Sequence, residues 1–310
     1  MMTSAQTFCS VEIAHTTWDF TRIAKLNGER MQKISNLSGL VDSYDGFLFD
    51  AYGVLYDGKG LIEPCVDAWR MLRDKGKKTW ILTNGSSRTL FDSAAMYRRL
   101  GLSIEPSDII NSASLLQAYF VEKNLIGSAV AVLGTRASSQ YVEESGGTPV
   151  DPLQTDDYSV VVVANQTDFP LLDSLEEVLS TVITRIETNQ PIHLILTNPD
   201  LIYPHATRRF GITAGSLALL LETALVARLG PDAPKFEKLG KPYPRIFEEA
   251  IKRAGTRRLL MVGDQLETDI RGAQSVGMDS VLVGTGMIRT DVWQPLKTDP
   301  KPTFLLSKWS

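Results

Sequence analysis

The run Phe47-Leu48-Phe49-Asp50-Ala51-Tyr52-Gly53-Val54-Leu55 sets the terms for the whole 310-residue chain. Three apolar residues in succession make a short buried strand, and a carboxylate stands where it ends. Taken alone, an Asp in that place serves a turn as readily as a site. Its surroundings decide. Glu63-Pro64 opens a helix, because proline suits the first helical position; Val66, Trp69 and Leu72 follow at helical spacing, and Gly76 ends it. Thr79-Trp80-Ile81-Leu82 is a second buried strand, running into Thr83-Asn84. Leu90, Ala94, Tyr97 and Leu100 mark another helix, closed by Gly101.

The alternation resumes near the other end. Pro244 opens a helix with Ile246, Phe247, Ala250, Ile251 and Ala254 on one face, and Gly255 closes it. Leu259-Leu260-Met261-Val262 is a strand leading into Gly263-Asp264. Thr268 is the expected cap of a helix carrying Ile270, Ala273 and Val276. Ser280-Val281-Leu282-Val283 is the expected final strand. Strands alternating with helices specify an α/β chain with a Rossmann-like parallel sheet.

Between these halves lies a second alternation. Ala129 to Leu133, Val160 to Val163 and His193 to Leu196 are strand-like, with helices expected over 171–187 and 216–229. The expected organisation is an N-terminal extension over 1–40, a core from 41–112 and 234–310, and an inserted α/β cap over 113–233. The Pro231-Asp232-Ala233-Pro234 run serves as the return linker.

Composition narrows the function. Hydrophobic residues make up 43% and charged residues 22%, ordinary for a chain with a core. A net charge of -4 without basic runs excludes a nucleic-acid binder. No apolar stretch is long enough for a bilayer, and Met1 to Ser10 lack the pattern of a secretory leader. Cys9 and Cys65 make no disulfide framework, and the three His lack metal spacing. A cytoplasmic setting is expected. Gly284-Thr285-Gly286 is a lone Gly-x-Gly and justifies no dinucleotide site.

In an open α/β sheet, ligands bind beyond the carboxyl ends of the strands. Asp50, the Thr83-Asn84 pair, and Asp264 with Asp269 all stand at such ends, and Lys241 arrives on the loop before a helix. Carboxylates, a lysine and a Thr/Asn pair suit a phosphate held against a hard cation.

These segments resemble the four motifs of the haloacid-dehalogenase-like hydrolases. Phe47 to Leu55 is similar to the first, Ile81-Leu82-Thr83-Asn84-Gly85 to the second and Gly240-Lys241-Pro242 to the third. Met261 to Asp269 is similar to the fourth. The insertion, with Thr197-Asn198-Pro199-Asp200, resembles the large cap of the class IIA branch, which includes 4-nitrophenyl-phosphatase-like and sugar-phosphatase-like proteins. The likeness runs from about Leu40 to Gly286.

The resemblance implies Mg2+-dependent hydrolysis of a small phosphomonoester, with Asp50 attacking phosphorus to form an aspartyl-phosphate. It implies Mg2+ at Asp50, Asp264 and the Tyr52 carbonyl, with Asp269 orienting the metal's surroundings. Thr83, with backbone N–H groups near Gly53 and Asn84, would hold phosphoryl oxygens, and Lys241 would neutralise charge. Asn165, Asn198 and Asp200 are the expected substrate contacts of the cap, and Gln166, Asp168 and His205 are weaker candidates. The expected partner is a small phosphorylated metabolite, without nucleic acid or membrane, and with a homodimer as the candidate assembly.

One position departs from the pattern. Hydrolytic members carry a second Asp two residues after the nucleophile, to protonate the leaving oxygen and then activate water; here it is Tyr52. A phenol, ordinarily titrating near pH ~10, can donate a proton but is a poor base at neutral pH. Three outcomes stay open: a slow phosphatase, with Asp57 or a cap residue as substitute; a phosphoryl-enzyme that stalls or transfers its group; or a non-catalytic module binding phosphorylated ligands.

Overall fold

A computed structural model describes residues 32–58, 60–206, 209–284 and 300–306. The side chain of His205, Cys9, and the Thr285-Gly286 pair lie outside the described residues.

In chain order the elements are β1 (Gln32–Ile34), β2 (Gly46–Phe49), β3 (Tyr56–Asp57), β4 (Gly60–Leu61), α1 (Glu63–Asp74), β5 (Lys78–Thr83), α2 (Leu90–Arg99) and β6 (Ile109–Asn111). Then follow α3 (Leu116–Lys123), β7 (Ala129–Leu133), α4 (Arg136–Glu144), β8 (Thr148–Val150), β9 (Val160–Val163), α5 (Leu171–Glu187), β10 (His193–Leu196), β11 (Ile202–Ala206) and β12 (Arg209–Ile212). The chain continues through α6 (Ala214–Leu229), β13 (Glu237–Lys238), α7 (Pro244–Ala254), β14 (Leu259–Gly263), α8 (Arg271–Ser275), β15 (Asp279–Val283) and β16 (Phe304–Leu306).

Two parallel sheets organise the chain. The larger runs β1-β16-β15-β14-β2-β5-β6 and the smaller β13-β10-β9-β7-β8. Central strands of both are apolar along their length, as expected where helices cover both faces: β2, β9 and β14 are buried throughout. The helices follow their sequence signals. α1 has Pro64 in its first turn and buries Cys65, Val66, Trp69 and Leu72. Thr89 caps α2 by accepting from the Asp92 N–H at 3.1 Å. α7 buries Ile246, Phe247, Ala250 and Ala254 and ends on Gly255, whose φ of 66° costs a glycine little.

Several expectations differ from what is found. β15 is not the last strand: β16 lies beside it, pairing Phe304 with Val281. Thr268 caps nothing; it sits inside a π-helical turn at Leu266–Ile270, and the Gln265 N–H is taken by Asp269 Oδ2 at 3.1 Å. Gln32–Ile34, inside the expected extension, pairs with β16 at the edge of the larger sheet. β13 at Glu237–Lys238, beyond the expected return at 234, still pairs with β10 of the smaller sheet. Among the described residues no helix is long and apolar enough to cross a membrane.

One apolar cluster runs through both sheets. Leu48, Trp80, Leu82, Ile110 and Met261 from the larger sheet join Val130, Val160, Val162 and Ile195 from the smaller. At about 25 cal/mol per Å² of apolar surface removed from water, such a shared core binds the two sheets firmly.

Candidate active site

β2 and β14 are neighbours at the point where strand order reverses. From β2 the chain builds outward to β5 and β6; β14 begins the other wing. Such a switch point opens a crevice at the carboxyl ends of the strands. The pairing register puts Phe49 opposite Val262, and the Asp50 N–H donates to the Val262 carbonyl at 2.9 Å. Asp50 and Asp264 therefore leave adjacent strands side by side. Asp269 returns to them from the π-helical turn, packed over Gly263; a Cβ at that glycine would collide with its side chain. One carboxylate oxygen from each of Asp50, Asp264 and Asp269 lies within 4.8 Å of the others, and all three residues are buried.

Lys241 enters this acidic cluster. Its Nζ donates to Asp50 Oδ1 and to Asp269 Oδ1, both at 2.6 Å, and the side chain is only 3% exposed. Burial works against the ammonium, but the Asp269 and Asp50 carboxylates outweigh it and hold its pKa above the usual lysine value. Burial pushes the Asp269 carboxyl up to about 7, against the pull of Lys241, whose Nζ lies 2.6 Å away. Removing one member of a buried ion pair leaves an uncompensated charge, at a cost of roughly 3–5 kcal/mol.

Asn84, just past β5, ties this cluster to the smaller sheet. Its Oδ1 accepts from the Lys241 N–H at 2.7 Å, and its Nδ2 donates to the Lys241 carbonyl at 2.9 Å. Nδ2 also donates to Asp200 Oδ1 at 2.9 Å. Asp200 is half-buried; desolvation raises its pKa, and Asn84 and Lys241 oppose that shift. Thr83 is half-buried and its Oγ1 accepts from the Gly85 N–H at 3.1 Å, which leaves its O–H able to donate.

The loop after Asn84 is embedded in the carboxyl ends of the smaller sheet. Buried Ser86 Oγ lies 3.4 Å from both the Ala164 carbonyl and Thr197 Oγ1. Thr135 Oγ1 donates to the Ser87 carbonyl at 3.2 Å, and the Tyr141 hydroxyl to the Arg88 carbonyl at 3.1 Å. Sequence reasoning missed these hydroxyl groups. A Gly-Ser-Ser run after a strand announces a loop, and nothing in it announces burial.

The segment after Asp50 departs from expectation at Gly53. Its N–H, expected at the phosphate, donates to the Tyr56 carbonyl at 2.8 Å and helps form a tight turn in which Gly53 adopts φ 92°. Asp57-Gly58 forms the anticipated hairpin turn between β3 and β4. The half-buried Tyr52 ring packs edge-on against Tyr56, 5.5 Å between centroids, and Tyr56 packs likewise on Tyr97 at 5.8 Å. The Tyr52 hydroxyl approaches the Gly58 turn, where an added Cβ would lie 3.8 Å away.

In the smaller sheet, Asn165 and Asn198 stand just past β9 and β10. Asn165 Oδ1 accepts from Thr167 N–H at 3.1 Å, and Asn198 Oδ1 from Asp200 N–H at 3.0 Å. Gln166 is half-buried beside Asn165, and Asp168 is exposed with φ 72°.

Residues 47–148 match the family model for haloacid dehalogenase-like hydrolases, and residues 238–308 match a HAD-hydrolase-like model. The chain belongs to the haloacid dehalogenase-like hydrolases. This hydrolase is 28% identical over 271 residues to phosphoglycolate phosphatase 2 of Arabidopsis thaliana, an overlap of 82% of this chain and 87% of that one. It superposes with a TM-score of 0.71 on a possible sugar phosphatase of the HAD superfamily from Cytophaga hutchinsonii, at 29% identity over 84% of this chain and 91% of that one. A glycerol phosphate phosphatase from Mycobacterium tuberculosis, solved in complex with magnesium, matches with a TM-score of 0.68 and 26% identity, over 80% of this chain and 70% of that one.

Proposed function

We propose that this hydrolase releases phosphate from a small phosphomonoester, of the sugar phosphate or glycerol phosphate kind, with Asp50 as nucleophile and Mg2+ as cofactor. The observation that carries the proposal is the buried set of Asp50, Asp264, Asp269 and Lys241 at the switch point of the larger sheet. Three carboxylates around a single ammonium leave negative charge for a divalent cation to balance, and an all-oxygen donor set suits a hard ion. The magnesium complex of the mycobacterial relative supports the same choice. Asp50, Asp264 and the Tyr52 carbonyl would hold the ion. Asp269, engaged by Lys241 and by the Gln265 N–H, would orient them. When bound, such an ion polarises phosphoryl oxygens and offsets their charge.

An Asp50 oxygen bonds to phosphorus as the ester oxygen leaves, which gives an aspartyl-phosphate and an alcohol that needs one proton. Water then attacks phosphorus, freeing Asp50 and inorganic phosphate. Lys241 steadies the charge shared by nucleophile and phosphoryl group, and the Thr83 O–H donates to a phosphoryl oxygen. Asn165 and Asn198 are assigned to the organic part of the substrate. The inserted sheet serves as a cap that keeps out macromolecular substrates and bulk water. Tyr52 can give a proton but takes one poorly, so release of the aspartyl-phosphate is the slow step.

The purified full-length protein, assayed with Mg2+ against phosphoglycolate, glycerol 3-phosphate and sugar phosphates, should release phosphate slowly. Asp50→Asn should lower that release by about 10⁴-fold or more. A second class of function is favoured by Tyr52 itself: a module that binds phosphate esters without turning them over. Binding of the same esters with no phosphate release, by both the wild type and Tyr52→Asp, would select that class and end the phosphatase assignment.

A further inference from the structure

We infer that Asp200 is a positioning residue: acting through Asn84 from the inserted sheet, it fixes the backbone at Lys241 so that the ammonium stays between Asp50 and Asp269. The need for such a tie follows from the chain path. Lys241 is carried on a segment that leaves β13, and β13 belongs to the smaller sheet. The Leu239 N–H still donates to the Leu196 carbonyl of that sheet, at 3.0 Å. Two residues later the chain must aim an ammonium at carboxylates of the larger sheet. Its aim depends on whatever holds those residues between the two.

Asn84 supplies the hold and Asp200 sets its direction. The Asn84 amide closes a two-point pairing with the N–H and carbonyl of Lys241, at 2.7 and 2.9 Å. Inverted, the amide would set its NH2 group against the Lys241 N–H and its oxygen against the Asp200 carboxylate. Both contacts are repulsive, and a carboxylate is an acceptor only, so Asp200 selects the productive orientation. Its own place is fixed. The Asp200 carbonyl accepts from the Gly215 N–H at 3.1 Å and from Thr213 Oγ1, and its N–H donates to Asn198 Oδ1 at 3.0 Å. Gly215 and Gly240 keep the packing closed: a Cβ at Gly215 would strike the Pro199 and Asp200 carbonyls, and one at Gly240 would strike Asn84 Oδ1 and Pro199. A substrate contact at Asp200 would explain none of this.

The kinetic part of the test rests on the phosphatase reading; the exchange part does not. Hydrogen exchange on the full chain should show the Lys241 amide protected in the wild type. In Asp200→Ala that amide should exchange about tenfold faster, the factor expected for one charge-assisted hydrogen bond, with the β14 amides unchanged. Asp200→Asn, whose amide can meet Asn84 as donor or acceptor and so no longer selects its orientation, should exchange faster than wild type though less so than Asp200→Ala. Asp200→Glu, whose longer side chain misplaces the acceptor, should also exchange faster. These two variants carry the test if Asp200→Ala does not fold. With a turned-over ester, Asp200→Ala should lower kcat by about tenfold and leave KM within about twofold. Unchanged exchange at Lys241 would overturn the inference whatever the activity, as would a rise in KM alone. The exchange pattern without turnover by the wild type would uphold the positioning role while removing the phosphatase assignment.

Discussion

The carboxyl ends of the two parallel sheets have the same geometry and opposite chemistry. The larger sheet ends in charge: Asp50, Asp264 and Asp269 converge on Lys241, all buried. The smaller ends mainly in neutral polar groups, with Thr135, Asn165, Thr197 and Asn198 past its strands and Asp200 two residues beyond Asn198. A parallel sheet delivers side chains to one edge whatever their type. What differs is the price of burying them. Charges survive without water only when paired, so the larger sheet's set is closed and interdependent, whereas amides and hydroxyls need one partner each and tolerate change.

The comparison breaks first at Tyr52. Placing a carboxylate there, by Tyr52→Asp, should raise phosphate release by about 10²-fold, within the range that general acid–base help supplies. Steady-state assays with Mg2+ measure it, and no gain would show that water activation does not limit turnover. Next comes Lys241→Met, which keeps the aliphatic stem and removes the charge. Asp50 and Asp269 then face each other without a cation, and stability should fall by roughly 3–5 kcal/mol in denaturant titration. Added Mg2+ should recover part of that loss, because it binds only the folded state. The smallest effect is expected from Asn165→Ala, an amide at the neutral end. It should shift KM by several-fold and leave stability within about 1 kcal/mol. A stability loss as large as that of Lys241→Met would erase the distinction between the two ends.

The same contrast explains what was legible in the sequence. Long apolar strands such as β5, β9 and β14, and helices framed by proline and glycine such as α1 and α7, declare themselves through period and punctuation. β1, β6, β8 and β16 have three residues each, too few to display a period, and their strand character comes from the neighbour they pair with. Asp50, Lys241, Asp264 and Asp269 stood out because charge beside a buried strand demands a reason. Ser86, Thr135 and Tyr141 did not, since a hydroxyl is as ordinary in a solvated loop as at a buried junction. Gly53 misled for a further reason: a backbone N–H carries no mark in the sequence of which acceptor it will meet. Thr268 resembled a cap because a hydroxyl ahead of a helical apolar pattern is the usual signal, and the π-helical turn that encloses it leaves no such mark in the sequence.

The apolar cluster that runs through both sheets makes the insertion something other than a detachable module. Leu48, Trp80, Leu82 and Ile110 of the larger sheet rest in one body with Val130, Val160, Val162 and Ile195 of the smaller. Removing the smaller sheet and its helices and closing the gap with a short loop would strip the larger sheet's strands of their cover and leave greasy faces open to self-association. Evolution can therefore retune the residues at the rim of the smaller sheet one at a time, but exchanging that sheet wholesale would mean rebuilding the interior of both.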